Sequence, residues 1–102
     1  MITEYIRYTV PAEIKDDFIK GYTKAVESLK VSSHCLGYEL YQGNEQPENF
    51  ILRIQWDSLD GHMHGFRNSP EFQPFFQAIG PFYKYIQEMK HYDLTALNWS
   101  RV

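Results

Sequence analysis

The strongest constraint on the fold is the alternation of apolar and polar residues from 49 to 57. The side chains on one side of this run are large and apolar: Phe50, Leu52, Ile54 and Trp56. A period of two is typical of a strand that buries one face. Residues 35–42 predict a neighbouring strand. The turn-forming residues 43–48 between the two runs are few enough to make the pair an antiparallel hairpin.

A strand and a helix precede this hairpin. Residues 2–10 alternate as well, and Pro11 ends that strand. Apolar residues then recur every three or four positions, which predicts an amphipathic helix: Ile14, Phe18, Tyr22, Ala25 and Leu29. The acidic residues of this helix come early and its lysines come late, as the helix dipole favours.

Helical segments also follow the hairpin. Asp57 or Ser58 can cap a short helix over 58–68. Ser69-Pro70 predicts the start of another helix, because a capping hydroxyl precedes a proline at the first helical position. Gly80-Pro81 predicts the end of that helix.

Residues 86–94 complete the pattern with a last strand. The order βαββαβ predicts an α+β fold of the ferredoxin-like kind, with a four-stranded antiparallel sheet and both helical segments on one face. We expect a single domain over 1–102, with its core in 2–94 and a C-terminal tail over 95–102. Nothing in this chain covers the other sheet face, so a second copy is the expected cover, and the tail with Leu97 and Trp99 is expected to cross onto it.

Composition excludes several classes of partner. The net charge is −3 and the pI is about 5.7, with Lys and Arg scattered, so neither nucleic acid nor a membrane surface is an expected partner. No apolar run is long enough to span a membrane, and the first residues lack the pattern of a signal peptide. Cys35 is alone, which predicts a reducing, cytoplasmic location.

Aromatic residues make up 17% of the chain. They concentrate in its second half: Phe66, Phe72, Phe75, Phe76, Phe82, Tyr83 and Tyr85. At helical spacing such residues form a core, and the same residues can line a cavity for a planar ligand.

Two histidines are candidates for chemistry. His62 and His64 lie two positions apart, so on a helix they point in different directions, and no metal site is predicted. His64 follows Asp60 by one turn and lies near Phe66, where a neutral imidazole beside an apolar pocket could remove a proton from a phenol. The simpler role for His64 is that of a helix-packing histidine with one nitrogen in water.

Several segments together resemble the antibiotic biosynthesis monooxygenase family. They are residues 35–41, residues 50–57, His64, and residues 69–72 with Phe76. Residues 72–81 are similar to quinol-monooxygenase-like members. The resemblance spans residues 2–94. It implies a homodimeric α+β barrel that oxygenates quinols or polycyclic phenols with molecular oxygen and uses no flavin, haem or metal.

The resemblance also implies roles for individual residues. His64 matches a histidine frequent in the family and is the expected catalytic base, and Trp56 matches the usual tryptophan at the end of the third strand. The expected substrate-binding residues are Tyr8, Trp56, Phe66, Phe72 and Phe76. Ile54 and Glu71 depart from the family, which often has a carboxylate and a histidine there. The Trp and His positions of the haem-degrading branch fall near Phe66 and Phe76, neither of which can ligate iron, so haem degradation is not expected.

Two functions are compatible with these patterns. The first is a cofactor-independent monooxygenase for a quinol, an anthrone or a polycyclic phenol. The alternative is a non-catalytic module that binds an aromatic metabolite or regulates a partner, which would also explain the absence of a carboxylate at Ile54. Oxygen consumption by the pure protein distinguishes the two.

Overall fold

The computed structural model describes residues 1–102. Four strands and two α-helices follow in chain order: β1 (Ile2–Thr9), α1 (Lys15–Val31), β2 (Cys35–Gln42), β3 (Asn49–Trp56), α2 (Phe72–Ile79) and β4 (Ile86–Tyr92). A π-helical segment, Gly61–Phe66, connects β3 to α2, and 3-10 helices at Ala12–Ile14 and Gly80–Tyr85 precede α1 and follow α2. None of the helices is long and apolar enough to cross a membrane.

The strands form one antiparallel sheet in the order β2-β3-β1-β4. The predicted hairpin is the pair β2 and β3, and β1 and β3 occupy the centre of the sheet. The predicted α+β ferredoxin-like fold is confirmed by this strand order and by the helices that follow β1 and β3.

The core lies between the helices and the face made by even-numbered residues of β1 and β3. Ile6 stands opposite Leu52 and Tyr8 stands opposite Phe50, and all four side chains are buried. The stripe predicted on α1 faces them, with its deepest members buried: Phe18, Tyr22, Ala25 and Leu29. The alternating pattern of the strands and the helical pattern of α1 therefore place their apolar side chains in one layer between the sheet and the helix.

The connection after β3 is helical, as predicted, but of another type and shorter. The sequence predicts a short helix over 58–68, and the structure forms a wider π-helical turn over Gly61–Phe66. The Arg67 N–H donates to the carbonyl of His62, five residues earlier, at 3.3 Å. Ser58 caps the segment, because its Oγ accepts from the Gly61 N–H at 2.8 Å.

The helix α2 starts later than predicted and ends where predicted. It begins at Phe72 rather than at Ser69-Pro70, because the Ser69 hydroxyl donates back to the Phe66 carbonyl at 2.6 Å. Its end at Ile79 confirms the predicted stop at Gly80-Pro81, and the chain continues from there as the 3-10 helix, where Pro81 suits the first turn. The last strand ends at Tyr92, before the predicted residue 94.

The sheet face opposite the helices has no covering element in the chain. Tyr41 and Ile51 lie exposed on it as a cross-strand pair. Beyond β4, Leu97 is 93% exposed and Trp99 is 76% exposed. The homodimer that would cover these side chains stays a prediction.

Candidate functional site

A cavity of about 120 Å³ lies between the sheet and α2. Its wall is mostly apolar and is built by β1, β3, the π-helical segment, α2 and β4. All five predicted substrate-binding residues line it: Tyr8, Trp56, Phe66, Phe72 and Phe76. The fold thus brings them around one space, while their role in binding stays a prediction.

Glu4 is a buried carboxyl in the wall of this cavity. The alternation of β1 puts it on the apolar face, where it is 2% exposed. The Trp56 indole N–H donates to Glu4 Oε1 at 3.1 Å. Burial raises the pKa of Glu4 from 4.5 to about 7, although the Trp56 hydrogen bond and the charge of Arg67 both lower it. Glu4 can therefore exchange a proton near neutral pH.

His62 lies against Glu4 and is almost fully buried. Its ring stacks on Trp56 with centroids 4.4 Å apart and planes 11° apart. His62 Nε2 lies 3.5 Å from Glu4 Oε1, and His62 Nδ1 lies 2.7 Å from Nε2 of His91. Burial, together with the charges of Arg67 and His91, lowers the pKa of His62 to about 3. The ring is therefore neutral at cellular pH.

The structure places His64 elsewhere. Its side chain is 73% exposed and its Nδ1 lies 2.8 Å from Asp60 Oδ1, so the pair sits in water on the outside of the π-helical segment. His64 does not line the cavity. The predicted position of His64 near Phe66 and beside an apolar pocket is therefore wrong, and the histidine at the cavity is His62. The cause is the helical turn, which puts His62 and Phe66, four positions apart, on one face.

Glu4, His62 and His91 each offer one ligand atom, and these atoms lie within 4.8 Å of one another. Such a set could hold a divalent metal. Both ring nitrogens of His62 already face a partner, however, and the Arg67 cation lies close enough to lower the pKa of all three groups. The residues are thus arranged as a chain of polar contacts rather than around a common centre.

Tyr8 gives the cavity wall a second polar group. Its hydroxyl shares a buried hydrogen bond with the hydroxyl of Tyr22 on α1. Burial raises the pKa of Tyr8 to about 12 and raises that of Tyr22 as well. Both hydroxyls are therefore neutral, and Tyr8 can orient a polar ligand atom without exchanging a proton at cellular pH.

Glu4 is a functional candidate that the sequence patterns did not single out, and His62 is a histidine that they considered only as a metal ligand and set aside. The signal for Glu4 is its even position among the alternating apolar residues of β1, which places a carboxyl on a core face. The signal for His62 is its spacing of four from Phe66. Glu4 and His62 thus have one feature in common: each is a titratable residue at a position that the pattern places in the core.

Comparison with known proteins agrees with this fold. The sequence profile of the antibiotic biosynthesis monooxygenases matches residues 1–78, which include Glu4, Trp56 and His62. This chain belongs to the antibiotic biosynthesis monooxygenase family. Membership of this family supports a monooxygenase-type function.

Relatives match over nearly the whole chain. A solved structure from Bordetella bronchiseptica, provisionally named an antibiotic biosynthesis monooxygenase, is 26% identical with a TM-score of 0.75 and covers 92% of this chain and 96% of its own. A structure of the same provisional name from Deinococcus radiodurans has a TM-score of 0.75 at 22% identity and covers 98% of this chain and 99% of its own, which shows a similar fold. The uncharacterised protein YczJ of Bacillus subtilis (strain 168) is 21% identical over 93 residues, which are 91% of this chain and 98% of YczJ.

Proposed function

We propose that this chain is a cofactor-independent monooxygenase that binds a small quinol in the cavity and oxygenates it with molecular oxygen. The observation that carries the proposal is a buried carboxyl, Glu4, with a pKa of about 7 in the wall of an apolar cavity. A base whose pKa lies near the working pH is suited to remove a proton from a bound hydroxyl. The apolar side chains around it suit an aromatic ring.

The size of the cavity favours a substrate with one ring. Its volume is about 120 Å³. An apolar protein cavity of about 150 Å³ is known to hold benzene. The volume of a one-ring quinol is therefore closer to that of the cavity than the volume of an anthrone or a polycyclic phenol. Either of the larger molecules would require the aromatic walls to move apart.

The chemistry needs a base because the anion of a quinol gives an electron to oxygen far more readily than the neutral molecule does. Glu4 takes the hydroxyl proton, and the resulting anion reacts with molecular oxygen. One oxygen atom forms a bond to a ring carbon, and the other leaves as water. The product is a hydroxyquinone, and the substrate supplies all the electrons, so the balance requires no other reductant.

Oxygen uptake by the purified protein tests this function. We expect uptake with one-ring quinols, slower uptake with anthrones, and one atom from isotopically labelled oxygen gas in each hydroxyquinone. Glu4→Gln should lower the rate by about 10²–10⁴-fold, because it removes the base and keeps the shape of the side chain. Tight binding of a quinol without any uptake would contradict the proposal and would instead indicate a binding module.

We also propose that the protein is a homodimer. The exposed apolar side chains on the open sheet face, with Ile51 and Tyr41 among them, support a second copy as the cover. The exposed tail residues Leu97 and Trp99 can add to the same interface.

A further inference from the structure

We propose that Glu4, His62 and His91 form a proton path from the cavity to the protein surface, with His91 as its outer end. The inference rests on the proposed function, because the proton comes from the substrate held in the cavity. His91 is the additional residue that this path assigns to the reaction. It does not line the cavity, so it acts through His62 and not on the substrate.

The three groups come from three separate elements, and each contacts the next in space. Glu4 on β1 and His91 on β4 are register partners, and His62 reaches them from the π-helical segment. Glu4 Oε1 lies 3.5 Å from His62 Nε2, and His62 Nδ1 lies 2.7 Å from His91 Nε2. Glu4 and His62 are buried, while His91 is only partly buried. The path therefore leads from the cavity wall towards water.

The contact between the two rings fixes how a proton can move. Two neutral imidazole nitrogens this close must share one proton, with one nitrogen donating and the other accepting. When His62 Nδ1–H donates to His91, the lone pair of His62 Nε2 faces Glu4. That arrangement accepts a proton from the Glu4 carboxyl.

Transfer along the path conserves every proton. The substrate hydroxyl gives its proton to the Glu4 carboxylate. The Glu4 carboxyl then gives a proton to His62 Nε2 while the His62 Nδ1 proton moves to His91 Nε2, and His91 releases its Nδ1 proton to water. The reverse sequence supplies a proton to the oxygen atom that leaves as water and returns both rings to their first tautomers.

The surrounding charges prevent the proton from being trapped on either ring. The charged and titratable groups that face His62 are Glu4, His91 and Arg67, while β3 contributes the neutral ring of Trp56. The Arg67 charge lowers the pKa of both histidines. A proton that arrives on the rings therefore moves on to water.

Nitrogen NMR of the histidine rings in the full-length protein tests the path without any turnover. The chain has only four histidines, so each ring can be assigned. We expect a nitrogen–nitrogen coupling across the hydrogen bond between His62 and His91. The coupling should vanish in His91→Phe and persist in His64→Ala, whose ring lies outside the path. A wild-type protein without this coupling would overturn the proposal.

Turnover tests whether the path is used. We expect His91→Phe to lower kcat by about tenfold or more with an unchanged KM, because His91 does not touch the substrate. Added imidazole should restore part of the lost rate in His91→Phe and none in Glu4→Gln. His91→Gln is the matched variant that keeps a polar side chain at this position. Full activity in His91→Phe, or a loss that imidazole leaves unchanged, would overturn the path. If the wild-type protein oxidises no quinol, the proposed function fails, and the ring coupling alone decides whether the chain of contacts exists.

Discussion

Glu4 and His62 share one environment that disfavours charge on both. A carboxylate in an apolar wall loses hydration, and the Trp56 N–H replaces only part of it. An imidazolium loses hydration in the same way and also meets the positive charge of Arg67. The resulting state at neutral pH is a carboxyl near its pKa beside a neutral imidazole. That state is costly for stability and useful for proton transfer.

The first prediction concerns the stability of Glu4→Gln. The pKa of Glu4 is about 7 in the folded protein and ordinarily 4.5, so between these values the folded protein holds a proton that the unfolded chain releases. Stability contributed by Glu4 therefore falls as pH rises through this window, by about 3 kcal/mol in total at 1.36 kcal/mol per pKa unit. Denaturant unfolding should show Glu4→Gln more stable than wild type at about pH 8 and equal to it near about pH 4. Equal stability of Glu4→Gln and the wild type at the higher pH would contradict a buried carboxylate that destabilises the folded protein.

A second prediction follows for His62, with the opposite sign. Its pKa is about 3 in the folded protein and ordinarily 6.5, so within this window the unfolded chain holds the extra proton and stability rises with pH. In the wild-type protein this slope opposes that of Glu4 wherever the two windows overlap. Glu4→Gln should therefore expose a stability that rises with pH across the acid range, and Glu4→Gln combined with His62→Phe should lose that slope. A flat profile for Glu4→Gln alone would show that His62 is not buried as a neutral ring.

At the level of elements, the π-helical segment orients the site. Its glycines face the ring of His34, which is held by Asp57 at 2.9 Å across the end of β3. A Cβ at Gly65 would lie 2.5 Å from His34 Nε2, so only glycine permits this approach. The contact fixes the turn that carries His62 inward and leaves His64 outside.

The third prediction uses two glycines as a matched pair. Gly65→Ala should displace the His34 ring, break its hydrogen bond to Asp57 and lower the free energy of unfolding by about 1–3 kcal/mol. Gly80→Ala is the control, because its Cβ would meet only Phe76 at 4.0 Å and its backbone is already helical. Gly80→Ala should change the stability by less than about 1 kcal/mol. Thermal and denaturant unfolding measure the stability of both variants. Equal effects of the two substitutions would show that the contact between Gly65 and His34 does not fix the π-helical turn.

The elements could be predicted from the sequence far better than the site. The strand β3 and the stripe on α1 follow from hydrophobic period alone, since burial of one face determines them. The wide turn at Gly61–Phe66 depends on the packing of His34 against glycine, which no local pattern encodes. The approach of His91 to His62 depends on the register of β4 beside β1, a contact between residues far apart in sequence.

For the whole molecule, the open sheet face and the exposed tail predict a homodimer. Light scattering at micromolar concentration should give about twice the chain mass of 12.1 kDa. Truncation before Leu97 should weaken the dimer if the tail crosses the interface, and Ile51→Lys should weaken it through the sheet face, where a charge would be buried. A mass of one chain for the wild-type protein would contradict the dimer, and unchanged dissociation after truncation would remove the tail from the interface.

The pH dependence of kcat/KM for oxygen uptake tests whether Glu4 is the base of a quinol oxygenase. The base acts in its deprotonated form, so the rate should rise with pH through about 7 and then level off. Glu4→Gln should abolish this rise and most of the rate, while the exposed His64→Ala should retain both. An unchanged rise in Glu4→Gln, or its loss in His64→Ala, would contradict the account.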